Sequence, residues 1–319
     1  MKSNLSEIFS KITTKKSKRV FSQFFDDRFL TPENIVKYNQ LCHRETYPYP
    51  HLDDNNRQYC KYIILGSART GSSLLVELLK SHPSVISFSE LFMDQYSPFN
   101  YLGYPHHSDE NLLDYRNNNP VEFMENLVFK PYRRNISAVG FKLFYYQAHN
   151  GRLGKVWNYL KSLDDLKIVH IKRRNSFHSL ISSKHAAEKG ASKYPEWAMK
   201  EIQQFNMGIF PEQLSKGEIT IINVDYQECL HYFEKVKSEK DYYEKYFANH
   251  SVLNLYYEDL LENMDRECRK LCEFLHLSYA PLKTYAEKQV IAPMKEIVKN
   301  YNELKASFEG TEWYSFFDE

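Results

Sequence analysis

The chain alternates short, almost wholly apolar runs with longer segments whose apolar residues recur every three or four positions. The first run, Tyr62-Ile-Ile-Leu65, enters a small polar loop, Gly66-Ser-Ala-Arg-Thr-Gly-Ser-Ser73. Leu74, Leu75, Leu78 and Leu79 then fall on one helical face. His82-Pro83 closes that helix, because the residue before a proline is biased away from helical geometry. A second run, Val85 to Phe88, ends on Glu90. Residues 137–145 predict a buried strand carrying one charge, Lys142. Leu166 to Ile171 predicts a strand that runs into Lys172-Arg-Arg-Asn175, and Val252 to Tyr256 the last clear one. Helices are expected over 121–129, 151–163, 177–189, 227–247 and 262–275. A further segment, 197–214, is mostly helical in pattern, and 219–224 reads as a short strand or extended chain. Strands alternating with helices predict an α/β fold built on a parallel sheet with right-handed crossovers.

Two stretches break the alternation. Residues 1–58 are polar and aromatic, punctuated by Pro32, Pro48 and Pro50, and predict one or two helices packed on a core domain spanning 59–319. Residues 91–120 are rich in Tyr, Asn, Pro and His with no sustained period. They read as a surface excursion within an insertion at about 91–135, and such excursions often shape substrate pockets.

The first loop has the look of a phosphate cradle, since free N–H groups at a helix start favour an anion. Gly66 and Gly71 have the spacing of G-x-x-x-x-G-K-[ST], but Ser72 stands where the lysine belongs. That lysine reaches the outer phosphates of a nucleoside triphosphate, so its loss argues against ordinary ATP or GTP chemistry. Arg69, inside the loop, offers instead a planar fork of donors suited to phosphate or sulfate oxygens. In an open parallel sheet, ligands gather beyond the carboxyl ends of the strands. Those ends supply Arg69 to Ser73, Glu90, and Arg173 with Arg174. Taken alone, each has a plainer reading: a strand-to-helix turn, a surface carboxylate, a solvated helix-start cluster.

The 319 residues carry a net charge of +1, with 42% hydrophobic and 26% charged. This balance gives no global argument for nucleic acid or an anionic membrane, so local clusters must build any anion site. Five cysteines, few and odd in number, fit reduced thiols in a cytoplasmic protein. No apolar run approaches the roughly 20 residues that span a bilayer. The basic N-terminus lacks a signal-type apolar segment and reads either as a solvated helix or as one touching a membrane or partner. Cys268, Cys272 and His276 recur at i, i+4 and i+8. Two thiols and one imidazole fall short of a structural zinc set, and with Leu271 and Leu275 beside them they read as a core stripe. No metal site is expected.

Together these segments resemble the sulfotransferases that use 3′-phosphoadenosine 5′-phosphosulfate (PAPS), especially the bacterial carbohydrate group that includes Nod-factor and trehalose sulfotransferases. Arg69-Thr-Gly-Ser-Ser-Leu-Leu75 resembles that group's 5′-phosphosulfate loop, and Arg174 with Ser182 its 3′-phosphate pair. Gly140-Phe-Lys-Leu143, Tyr257-Glu-Asp-Leu260 with Phe274-Leu275, and the tail Lys288-Gln289 with Ile297-Val-Lys-Asn-Tyr301 are also similar to family segments. The chain departs from the pattern at Asn175, where an acidic residue is common. The resemblance covers about 60–319 and implies a P-loop-type three-layer fold. It also implies in-line sulfuryl transfer from PAPS to an acceptor hydroxyl, without an obligatory metal.

In that reading Glu90 is the base. Arg69 stabilises charge, and Lys142 either neutralises the bridging oxygen or is a partnered strand lysine. Ser67, Arg69, Thr70, Gly71, Ser72, Ser73, Arg174, Ser182 and Lys288 hold the nucleotide. The acceptor is a small molecule or carbohydrate. The alternatives are an atypical small-molecule kinase, which needs a magnesium-binding carboxylate and a substitute for the missing lysine, and a non-catalytic nucleotide-binding protein.

Overall fold

The computed structural model describes residues 58–93, 100–101, 104–105, 110–132, 135–193, 221–284 and 293–318. The expected N-terminal helices, the helix at 197–214 and Lys288 lie outside them. The first apolar run forms β1 (Cys60–Gly66), and the leucine-rich stretch forms α1 (Ser72–Lys80) and leads into β2 (Val85–Glu90). A two-residue ladder, β3 (Asn100–Tyr101) with β4 (Tyr104–Pro105), and α2 (Glu110–Asn118) come next. A helical segment follows, α3 (Pro120–Phe123) widening into a π-turn over 124–128, and then β5 (Ala138–Phe144).

The second half gives α4 (Lys155–Ser162), β6 (Lys167–Lys172), α5 (Ser176–Lys193), α6 (Tyr226–Tyr246) and β7 (Ser251–Tyr256). It closes with α7 (Tyr257–Glu262), α8 (Met264–Phe274), α9 (Met294–Ile297) and α10 (Tyr301–Ser307). The sheet is parallel throughout, in the order β2-β5-β1-β6-β7. The expected α/β architecture, a central parallel sheet flanked by helices, is the one observed.

Why the strands read as unbroken apolar runs is plain from the packing. Ile63, Leu65, Phe88, Phe141 and Ile168 face Phe123, Leu127, Val156 and Leu160 on one side of the sheet. Tyr62, Ile64, Val169 and Ile171 face Leu75, Leu78, Leu79 and Leu271 on the other. Each fully buried side chain of this kind contributes roughly 1.5–3 kcal/mol, so a sheet covered on both faces leaves no room for alternating polar positions. A third cluster ties α5 and α6 to the tail through Phe177, Phe233, Phe308 and Phe317.

Three local expectations are changed. The helix expected over 262–275 is α8, and an unexpected short helix, α7, precedes it, with Asn263 between them accepting from the Arg266 N–H as the cap of α8. Cys268 and Cys272 are buried in the core as the stripe predicts, but His276 lies past the end of α8 in a left-handed conformation (φ 56°), and its imidazole meets the Lys167 ammonium. Within 91–120, α2 forms without an apolar stripe. Its anchor is Arg116, wholly buried, which donates to the Leu91 carbonyl at 2.9 Å. A hydrophobic pattern cannot register a helix pinned by a guanidinium.

Candidate active site

The first loop, between β1 and α1, stands at the carboxyl end of the sheet's central strand. Thr70 Oγ1 donates to the Ser67 carbonyl at 2.8 Å and tightens the loop. Arg69 and Gly71 both take left-handed backbone angles (φ 64° and 84°). The first helical bond is from Leu75 N–H to the Gly71 carbonyl, and no side chain caps α1. The amides of its first turn are therefore presented as donors at the positive end of the helix dipole. Ser67, Thr70 and Ser72 are buried within the loop, while Ser73 is exposed.

Gly71 has a second constraint. A Cβ built on it would lie 2.4 Å from Cδ2 of Tyr257. Gly71→Ala is therefore expected to cost about 2 kcal/mol, from left-handed strain and the displaced ring, and to weaken anion binding in the loop by tenfold or more. Thermal melts and a titration with adenosine 3′,5′-bisphosphate check it.

Cations converge on this loop. The Arg69 Nε and Nη2 donate to Ser182 Oγ at 3.0 and 2.9 Å, and Arg173 Nη1 donates to the Arg69 carbonyl at 3.2 Å. Burial lowers the pKa of both guanidinium groups, and the charge of Arg173 lowers that of Arg69 further. Two partly desolvated like charges side by side are relieved by an anion, so their strain favours anion binding. The Arg173 guanidinium also stacks over Tyr257, 5.0 Å from the ring centroid.

Arg174 and Ser182, matched as a pair in the sequence, have different partners here. Arg174 makes a fork to Asp259 (2.7 and 2.8 Å) and lies over the Tyr256 ring at 4.2 Å, half exposed. Ser182 is engaged by Arg69. The carboxylate of Asp259 keeps Arg174 charged and oriented at the mouth of the same strand end.

Asn175 explains its own departure from the family pattern. Its Oδ1 accepts the His178 N–H at 3.1 Å and caps α5, while its Nδ2 donates to the Phe316 carbonyl at 2.8 Å. An aspartate could cap the helix but has no N–H to tie down the tail.

A β-bulge places the remaining two residues. Phe88 pairs with Phe141, and the next recorded pair is Glu90 with Lys142. In unbroken register Glu90 would oppose Leu143 and share the Phe88 face. The extra residue, Ser89, brings Glu90 into register with Lys142 instead, a common use of bulges beside functional sites. Lys142 Nζ lies 2.8 Å from Glu90 Oε1 and donates to Ser73 Oγ at 3.2 Å. Both members of the ion pair are buried. A chain of contacts thus runs from the carboxylate, through one ammonium, to the first turn of α1. Gln147, which the sequence reading passed over, completes it: its Nε2 donates to Glu90 Oε2 at 2.7 Å. It follows β5 by three residues, so the strand-end rule that picked out Glu90 contained the signal.

This is an α/β protein in which a glycine loop at a helix start, clustered arginines and a buried carboxylate–lysine pair gather at one edge of the sheet. A sequence model described as the sulfotransferase family matches residues 62–281, and the chain belongs to that family of sulfuryl-transferring enzymes. It is 23% identical to Nodulation protein H of Rhizobium tropici over 262 residues, 81% of this chain and 92% of the relative. A sulfotransferase from Alicyclobacillus acidocaldarius, solved by crystallography, is 14% identical with a TM-score of 0.42, covering 77% of this chain and 90% of that one. Among the described residues, no helix is long and apolar enough to cross a membrane.

Proposed function

We propose that the protein transfers the sulfuryl group of PAPS to a hydroxyl of a carbohydrate acceptor, with Glu90 as the base. The observation that carries this reading is the Glu90–Lys142–Ser73 chain, which joins a buried carboxylate to the helix turn that forms the anion cradle. In this reading the loop amides and Arg69 serve the 5′ end, and the resemblance assigns Arg174, Ser182 and Lys288, the last outside the described residues, to the 3′-phosphate.

When bound, PAPS supplies the sulfuryl group, whose S–O bond to the 5′-phosphate breaks as one to the acceptor oxygen forms. Glu90 receives the acceptor's proton, and its position at the end of β2 holds it beside the cradle. Lys142 meets the charge growing on the leaving phosphate oxygen, and Arg69 and the amides of α1 that on the equatorial oxygens. All are fixed before reaction, so little reorganisation is needed. The resemblance to the bacterial carbohydrate sulfotransferases supports a carbohydrate acceptor. In this reading 59–319 is the catalytic domain, 1–58 packs on it, and 91–135 faces the acceptor.

A thermal shift tests the donor. Adenosine 3′,5′-bisphosphate at 100 times its Kd is expected to stabilise the fold by about 2.7 kcal/mol, a rise of several degrees. ATP with magnesium is expected to do far less. Equal or greater stabilisation by ATP–magnesium would turn the assignment toward a kinase. Labelled sulfate from PAPS, offered with a panel of oligosaccharides, then identifies the acceptor.

A further inference from the structure

We propose that Gln147 is a positioning residue that holds the Glu90 carboxylate aimed into the site; the inference rests on the reading of Glu90 as the base. Gln147 is buried in the turn after β5, and every polar group of it has a named partner. Its N–H donates to the Phe144 carbonyl at 3.0 Å, and its own carbonyl accepts from Trp157 Nε1 at 2.9 Å. Its side-chain Oε1 accepts the Phe144 N–H at 3.0 Å. That last bond decides the orientation of the amide. Oε1 must face the backbone donor, so the NH2 group must face Glu90 Oε2, 2.7 Å away.

An NH2 group has no lone pair to offer. It needs an acceptor, and the carboxylate oxygen Oε2 of Glu90 supplies one. Lys142 occupies the other oxygen, Oε1, at 2.8 Å. These bonds use two of the roughly four lone-pair positions on a carboxylate, which leaves the others free to take a proton from an acceptor hydroxyl. Lys142 on β5 lies against Glu90, and the carbonyl of the next residue, Leu91, accepts from the Arg116 guanidinium on α2. Both are cations, and neither changes when Gln147 is replaced. The amide therefore acts on top of them, by fixing which rotamer the carboxylate keeps.

The test reads Glu90 directly and needs no acceptor. Protein labelled with carbon-13 at the glutamate side-chain carboxyls is compared by NMR at one fixed pH, with the Glu90 signal assigned by its loss in Glu90→Gln. In Gln147→Leu the Glu90 signal is expected to move and broaden, because the hydrogen bond that held the carboxylate in one rotamer is gone. Gln147→Met, closer to glutamine in shape, is expected to give the same change if the leucine variant folds poorly. Glu267 on α8, buried and paired with Arg266 and Lys270, serves as the internal control and is expected not to move.

An unchanged Glu90 signal overturns the assignment, and so does a change shared by Glu267, which would mean a loosened fold. The reading of Glu90 as base fails separately. If Glu90→Gln still passes labelled sulfate from PAPS to oligosaccharide at the unaltered rate, that reading is wrong while the NMR result for Gln147 stands.

Discussion

Replacing Glu90 with glutamine is expected to slow sulfuryl transfer by about 10²–10⁴-fold, the usual worth of a positioned base, while adenosine 3′,5′-bisphosphate still binds. Shape is nearly conserved, so the loss reports the charge and the proton-accepting lone pair. Two neighbours feel the change as well. Lys142 loses the carboxylate that lies 2.8 Å from it, and Gln147 presents its NH2 to a group that is now half donor. Removing one partner of a buried ion pair costs about 3–5 kcal/mol, so the melting temperature is expected to fall together with the rate. Measuring both separates the two effects. A slow enzyme that still gains stability from the bisphosphate has lost chemistry, whereas one that no longer responds to it has lost its site.

Gly140→Ala is expected to leave little folded protein. Gly140 sits opposite Tyr62 in the β1–β5 ladder, and an added Cβ would lie 2.2 Å from the Tyr62 carbonyl oxygen and 2.6 Å from two atoms of its ring. Neither obstacle is the loose end of a flexible side chain. The carbonyl belongs to the central strand, and the ring is fully buried in the core. Overpacking of this kind in a dense interior typically costs about 1–3 kcal/mol or more, and here it also pries apart the two strands that carry the phosphate loop and Lys142. Soluble yield and far-ultraviolet circular dichroism would show it. A variant that melts with the unaltered protein would mean that β1 and β5 can separate more easily than the packing indicates.

Both variants bear on what the chain reveals before it is folded. The two-sided burial of β1, β5 and β6 was legible because hydrophobic runs of that length have few other homes. The loop between β1 and α1 was legible because its glycine spacing, its arginine and the helix behind it are contiguous. Arg116 was not: its burial depends on a carbonyl at Leu91, 25 residues away in sequence. Arg174 and Ser182 share a motif in sequence, yet their partners, Asp259 and Arg69, come from opposite ends of the domain. Spacing along a helix shows which residues can share a face, and distant strands decide what that face meets.

By itself, then, the sequence determined the strand–loop–helix at 60–80 and the parallel α/β class. Those follow from local patterns: apolar runs and glycines at fixed spacing. Only the tertiary structure decided that Glu90 opposes Lys142, that Lys142 reaches Ser73, and that Gln147 closes over the second carboxylate oxygen. A one-residue bulge in β2 sets that arrangement. Because side chains alternate along a strand, a single extra residue moves a carboxylate from one face of the sheet to the other, and no local pattern in the sequence marks where it falls.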